Sequence, residues 1–183
     1  MKRLEHLRLN ATYNQWMNEK LYAAAATLPS DTLHQNLGAF FGSIFGTLNH
    51  LAVGDTLWLK RFAQHRRSFP SLQPLAELET PQSLDALLFS DLPSLTARRV
   101  LLDQLILRFL EELPEDCLDE VLEYKTTKGM AGRKDFGGVL AHFFNHQTHH
   151  RGQASTLLSQ QGVDVGVTDL LVLLPNVDQP SPA

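Results

Sequence analysis

The sequence has little of what several classes of protein need. Its 183 residues include a single cysteine, Cys117, so an intrachain disulfide and a thiolate metal cluster are both excluded. Sixteen basic residues face 20 acidic ones, and the net charge of −4 argues against a nucleic-acid partner. No apolar run reaches the length of a membrane span, and no apolar segment follows the basic N-terminus as in a signal peptide. We therefore expect a cytoplasmic protein with neither a nucleic-acid nor a membrane partner.

Apolar residues recur at helical spacing in four long segments. The predicted helices cover residues 3–27, 43–64, 93–113 and 136–161, and Gly162 is a natural C-cap for the last. The proline-containing stretch 68–81 predicts a loop, a short helix is expected at 83–88, and one helical turn at 168–174. Residues 118–135, with Gly129 and Gly132, predict a small β-hairpin. The pattern predicts an all-α four-helix bundle with a long crossover, covering residues 1–175, followed by a flexible tail at 176–183.

Half of the eight histidines lie on the last predicted helix, between His142 and His150. Histidines four residues apart lie on one helix face, so both the 142/146 and the 146/150 pairs could reach one ion. On a helical wheel, His150 falls inside the apolar arc and His146 at its edge, whereas His142 and His149 fall outside. The wheel favours His146 and His150 as ligands that point into the bundle, although two inward histidines are as often hydrogen-bonded core residues.

A catalytic metal site usually has three protein ligands, so a third must come from another helix. His50 is the best candidate, because its helix face also carries Ser43, Gly46, Thr47 and Gly54, and small residues leave room for a pocket. The other histidines, His6, His34 and His65, lie near helix or loop ends and are expected to be exposed.

Neighbouring polar residues narrow the chemistry. A zincin protease has Glu after its first histidine, whereas this sequence has Gln147, which cannot act as the base. Gln153 shares the histidine face and is expected to hydrogen-bond a ligand imidazole. Arg151 is interpreted as a structural ion-pair or interface residue, and Asp55 as an exposed or capping residue. The remaining candidates with structural roles are the basic pairs 66–67 and 98–99, expected at solvated helix ends, and Tyr13 and Trp16, expected near the pocket.

Several blocks in order resemble the DinB family, the DinB/YfiT-like group of proposed metalloenzymes. They are residues 13–21 (YNQWMNEKL), residues 47–51 (TLNHL) with Asp55 and Trp58-Leu59, Gly129 of the hairpin, residues 145–153 (NHQTHHRGQ), and Gly162 with Asp169-Leu170. The resemblance covers about residues 3–175. It implies a four-helix bundle of up-down-down-up character, a metal site formed by His50, His146 and His150, and a homodimer.

The residues and the resemblance together leave three functional hypotheses. Family relatives imply a metal-dependent S-transferase or isomerase that activates a low-molecular-weight thiol, such as bacillithiol, mycothiol or glutathione, or water. The second hypothesis is a non-catalytic metal-binding stress-response protein, and the third is a bundle without metal. Imidazole accepts zinc, nickel and ferrous iron, so the residues do not choose the divalent metal. They do not identify catalytic residues either, and whether the chain is an enzyme stays open.

Overall fold

A computed structural model describes residues 2–176 of the chain. Within this range the chain forms five α-helices, three short 3-10 helices and one β-hairpin. The α-helices are α1 (Arg3–Ala25), α2 (Ser30–His34), α3 (Ile44–Phe62), α4 (Leu92–Glu112) and α5 (Phe136–Gln160). Strands β1 (Val121–Lys125) and β2 (Ala131–Asp135) pair antiparallel, and the 3-10 helices are Pro70–Glu77, Glu115–Asp119 and Leu170–Leu173.

The all-α prediction is confirmed, with the small hairpin directly before the last long helix. The four predicted long helices correspond to α1, α3, α4 and α5, and the last 3-10 helix covers the expected turn. Three local predictions are wrong. The 68–81 segment contains a 3-10 helix, Ser30–His34 is a helix that was not expected, and residues 83–88 form no helix. Apart from Asn176, the predicted tail lies outside the described residues.

Side-chain caps set the first turns of the helices that carry the bundle. Ser43, Asp91 and Asp135 each accept a hydrogen bond from the backbone amide three residues later, at the starts of α3, α4 and α5. Such caps satisfy amides that have no partner inside the helix. At the other end of α5, Gly162 adopts a φ of 75°, the left-handed conformation that ends helices.

The long helices pack so that α1 and α3 each lie against both α4 and α5. Their inward residues form one apolar core, dominated by leucine and phenylalanine. Phe62 of α3, for example, has ring centroids 5.7 Å from Phe109 of α4 and 5.7 Å from Phe143 of α5. Within residues 2–176 no helix is both long and apolar enough to cross a membrane.

A buried charged network crosses this core. It includes Asp55 and Arg99, both of which the sequence predicted to be exposed to solvent. Asp55 is fully buried rather than exposed, and Arg99, expected at a solvated helix end, has 2% of its surface exposed. The Arg99 guanidinium lies 2.6 Å from an Asp55 oxygen and 3.1 Å from an Asp103 oxygen. Asp103 also accepts hydrogen bonds from Asn14 and Asn18. A buried charge such as that of Arg99 requires polar partners, and the neighbouring side chains of this network are carboxylates and amides.

Replacing Arg99 tests how far the fold depends on this network. We expect Arg99→Met to lower the free energy of unfolding by about 3–5 kcal/mol, because two buried carboxylates lose their counter-charge. Arg133→Met is the control, since Arg133 pairs with Glu123 on the surface and its loss should cost about 1 kcal/mol or less. Urea unfolding followed by circular dichroism measures both. Equal losses for the two variants would contradict the prediction.

Candidate metal centre

Three imidazoles from two helices meet in one group. His50 lies in the middle of α3, and His146 and His150 lie one turn apart on the facing side of α5. One ring nitrogen from each lies within 4.8 Å of the others. The ring centroid of His150 is 4.5 Å from that of His50 and 4.4 Å from that of His146. The structure therefore brings together the three histidines that the sequence singled out.

Burial keeps these imidazoles uncharged near neutral pH. His50 and His150 are buried, with 3% and 9% of their surfaces exposed, and His146 is half-buried. Desolvation lowers the pKa of His50 to about 4 and that of His146 to about 3, and it also lowers the pKa of His150. A neutral imidazole has the lone pair that a metal ion needs. By contrast, His142 and His149 are exposed, as the wheel predicted.

Hydrogen bonds fix which nitrogen of two rings is free. A carbonyl can only accept, so His50 Nδ1 donates to the Leu84 carbonyl at 2.8 Å and its Nε2 carries the lone pair. His150 Nδ1 donates in the same way to the Gln153 amide oxygen at 2.7 Å. This confirms the predicted contact between Gln153 and the imidazole of a candidate ligand. Partners of this kind orient metal-binding histidines in other proteins.

The arrangement fits a metal ion. His50 Nε2 and His146 Nε2 are 3.2 Å apart, while His146 Nδ1 is buried with no hydrogen-bond partner among residues 2–176. Two imidazoles bound to one ion at about 2.0–2.1 Å have nitrogens about 3.3 Å apart in tetrahedral geometry. The group could therefore hold a divalent ion, and no fourth His, Cys, Asp or Glu joins it in the described part of the chain.

Comparisons with known proteins identify the family of this chain. The model of the DinB family matches residues 3–177. The chain belongs to the DinB family. A relative, the "Protein DinB" of Bacillus subtilis (strain 168), is 26% identical over 157 residues, which are 86% of this chain and 87% of the relative. No solved structure gave a significant match.

This DinB-family chain has a second group of potential ligands, His65, Cys117 and Glu120, but it does not fit a metal ion. Both Glu120 oxygens accept hydrogen bonds at 2.7 Å, from Arg66 and from Arg67. The Arg67 amide donates to His65 Nδ1, so the proton of the neutral ring is on Nε2, and burial raises the pKa of the Cys117 thiol to about 11. The group is a structural ion-pair cluster, and His65 is buried rather than exposed as predicted.

Three other candidate residues of the sequence make their contacts with residues other than the three imidazoles. Arg151 is buried, where it donates hydrogen bonds to Asn14 and Thr148, and its guanidinium lies 5.2 Å above the Tyr13 ring. Tyr13 Oη donates to the Thr168 carbonyl at 2.7 Å. Trp16 lies under the Lys20 ammonium at 4.5 Å. These contacts hold α1 against α5 and the C-terminal segment.

Phe41 is a site residue that no sequence pattern indicated. Its ring stacks on that of His50 with centroids 3.7 Å apart, and its edge faces His150 at 5.5 Å. The loop that carries it crosses close to α3, because a Cβ at Gly46 would lie 2.1 Å from the Phe41 carbonyl oxygen. Only glycine permits that approach, so Gly46 explains why Phe41 can cover the centre.

Asn49 is a second residue near the centre whose role no sequence pattern indicated. Its side-chain amide donates to the Ala86 carbonyl at 2.8 Å and accepts from the Leu88 amide at 2.9 Å. These bonds hold the segment that precedes α4 in a non-helical conformation, which explains why the short helix predicted at 83–88 is absent. The same segment supplies the Leu84 carbonyl that orients His50. Asn49 thus positions a candidate ligand through the backbone of another segment.

The first prediction for the site concerns Gly54, whose added Cβ would lie 3.0 Å from His146 Cε1. We expect Gly54→Ala to lower zinc affinity about tenfold, because the His146 ring must move, without lowering stability, since alanine favours a helix by about 1 kcal/mol. Gly152→Ala on α5 is the matched control, because its Cβ would meet nothing within 4 Å. Calorimetric zinc titration and thermal unfolding measure both effects. Unchanged zinc affinity in Gly54→Ala would contradict the prediction.

The second prediction concerns Asn49. Asn49→Ala should release residues 84–88 and weaken zinc binding roughly tenfold to hundredfold, the usual cost of losing an outer partner of a ligand. Nitrogen-15 NMR of the metal-free protein should also show His50 losing its fixed Nδ1–H tautomer. The control is Asn10→Ala, which removes an exposed hydrogen bond to His6. An unchanged His50 tautomer would show that Asn49 does not position this ring.

Proposed function

We propose that His50, His146 and His150 bind a divalent ion and that the protein is a metal-dependent enzyme acting on a low-molecular-weight thiol or water. One observation carries the proposal: three neutral imidazole nitrogens converge, and no fourth side chain of a ligating type joins them in residues 2–176. Structural zinc sites are usually closed by four protein ligands, whereas catalytic sites keep one position for substrate. The family membership supports the same reading, and zinc, nickel and ferrous iron all fit the ligands.

The residues around the centre have separable roles in this proposal. A bound divalent ion would supply Lewis acidity, which favours the thiolate or hydroxide form of a substrate. Leu84 and Gln153 hold two imidazoles with their Nε2 lone pairs toward the centre. Phe41 covers one side of the His50 ring and excludes water there. Gln147 offers no base, so a proton from the substrate would pass to solvent or to a second substrate.

The alternative is a non-catalytic metal-binding protein of the stress response. The buried state of the centre favours it, since His50 has only 3% of its surface exposed. In that case the ion would stabilise the contact of α3 with α5 without chemistry. The expected homodimer and cytoplasmic location are compatible with either function and stay predictions.

Metal loading combined with a thiol-conjugation assay tests the proposal. Protein loaded in turn with zinc, nickel or ferrous iron is mixed with glutathione, bacillithiol or mycothiol and a fluorogenic electrophile. We expect conjugation that chelator abolishes, and we expect His50→Ala to lose it together with at least about a hundredfold in metal affinity. The control is His6→Ala, an exposed histidine on α1.

The results separate the two functions. If the protein binds metal stoichiometrically but neither conjugates any of the thiols nor hydrolyses an ester, the non-catalytic alternative is favoured. Absence of metal binding by the wild-type protein, measured by elemental analysis with and without chelator, would overturn both. Activity that survives in His50→Ala would show that the three-histidine group is not the catalytic centre.

A further inference from the structure

A large cavity lies outside the metal centre, between the C-terminal half of α3 and the β-hairpin. Its volume is about 720 Å³, within the range of sites for small molecules. We call it the hairpin pocket and define it by Lys60, Arg61, Gln64, Tyr124, Lys125 and Arg133. None of these residues belongs to the three-histidine group, so the pocket requires an explanation of its own.

The charge of the hairpin pocket is opposite to that of the chain. Four basic side chains line it, at positions 60, 61, 125 and 133, against one carboxylate, Glu123. Arg133 neutralises that carboxylate at 2.9 Å. The chain as a whole has a net charge of −4, so a concentration of cations in one cavity does not follow from composition. Cavities lined by one sign of charge attract ligands of the other sign.

Arg61 is held in place without a counter-ion. Its guanidinium lies 4.5 Å above the Trp58 ring and 5.4 Å from the Tyr124 ring, and Nε donates to the Lys125 carbonyl at 3.1 Å. It is half-buried, yet no carboxylate lies within ion-pair distance among residues 2–176. Aromatic and backbone contacts thus hold the guanidinium while leaving its terminal nitrogens free for a ligand.

Lys60, the residue before Arg61, is a second cation of the pocket without a counter-ion among residues 2–176. It is half-buried. Burial and the nearby Arg98 lower the pKa of its ammonium, so the protein does not stabilise this charge. An anion bound between positions 60 and 61 would supply the missing counter-charge to both, through charge-assisted hydrogen bonds.

A second cavity shares two residues with the hairpin pocket and reaches His142, whose ring is a neighbour of His146. This cavity has a volume of about 490 Å³, shares Tyr124 and Arg133 with the pocket and is also lined by Trp58 and His142. The His142 ring lies 5.5 Å from Trp58 and 6.1 Å from His146. Trp58 follows His50 by eight residues, so the two are about 12 Å apart along the axis of α3.

We propose that the hairpin pocket binds the carboxylate or phosphate group of a small molecule whose other end lies at the metal centre. The pocket itself is argued from the unpartnered cations, whereas its link to the centre rests on the proposed function. Arg61 and Lys60 contact the anionic group, and Trp58 and His142 line the second cavity. The substrate class is therefore an elongated anion with a reactive group at the far end from its charge.

Anion binding to the metal-free protein tests the pocket alone. Inorganic phosphate and succinate are titrated while NMR follows the Arg61 side chain and the Trp58 indole. We expect saturable shifts at both residues, and at least about tenfold weaker binding in Lys60→Met and in Arg61→Met, the cost of one charged hydrogen-bonding partner. Lys128→Met is the matched control, because it removes the same charge from the hairpin turn outside the pocket.

The control variants show whether weaker anion binding reflects the pocket or only the net charge of the protein. Equal weakening in Lys128→Met would show that the anions respond only to net charge, and absence of saturable shifts in the wild-type protein would overturn the pocket. Because Arg61→Met also removes contacts to the hairpin, Lys60→Met decides the outcome if Arg61→Met unfolds. Arg61→Lys, which keeps the charge, should restore part of the affinity.

A pair of thiol carboxylates tests the link to the metal centre. Cobalt-loaded protein is titrated with mercaptoundecanoate and with mercaptopropionate, while the thiolate-to-cobalt absorption band reports the thiol end. We expect the long probe to bind at least about tenfold tighter, and Lys60→Met to remove that advantage. Equal affinities of the two probes would refute the link, and failure of cobalt to bind would instead refute the proposed metal function, leaving the phosphate result to stand on its own.

Discussion

The buried guanidinium of Arg99 is the charge around which the long helices are arranged. It comes from α4 and lies between Asp55 of α3 and Asp103 of its own helix, and Asp103 accepts hydrogen bonds from Asn14 and Asn18 of α1. Asn14 then accepts from Arg151 of α5. All four long helices thus contribute to one polar network in an otherwise apolar core. A buried charge has strict directional needs, so the network fixes the relative rotation of the helices.

That rotation decides which residues meet at the candidate metal centre. Asp55 follows His50 by five positions on α3, and Arg151 directly follows His150 on α5. Residues of the network are therefore close in sequence to the imidazoles on both helices. Gly54 allows the close approach that places His146 against α3, and Phe41 and the Leu84 carbonyl complete the surroundings of His50. The centre depends on segments that are distant in sequence.

The hairpin pocket and the candidate centre differ in the charge of their side chains. At the centre, burial disfavours the protonated imidazoles, and the lone pairs that remain suit a cation. In the pocket, Arg61 stays charged because guanidinium hardly deprotonates, and it lacks a counter-ion among the described residues. The two proposed sites, one for a cation and one for an anion, suit a ligand with two different ends.

The sequence by itself determined the helices and the inward face of α5. Regular apolar spacing, cap residues and Gly162 are local signals, so the four long helices and the hairpin agree closely with prediction, as does the inward direction of His146 and His150. The prediction of His50 depended on its small neighbours and on the family resemblance. The match to the DinB family model confirms that resemblance.

The tertiary structure alone decided the rest, because the deciding partners are far apart along the chain. Asp55 and Arg99 look like exposed charges until each is placed beside the other, 44 residues away. His65 looks like a helix-end histidine until Glu120 and Phe136 enclose it. Residues 83–88 have helical composition, but Asn49 binds their backbone first. Burial and pairing energies depend on neighbours in space, and a single sequence lists only neighbours along the chain.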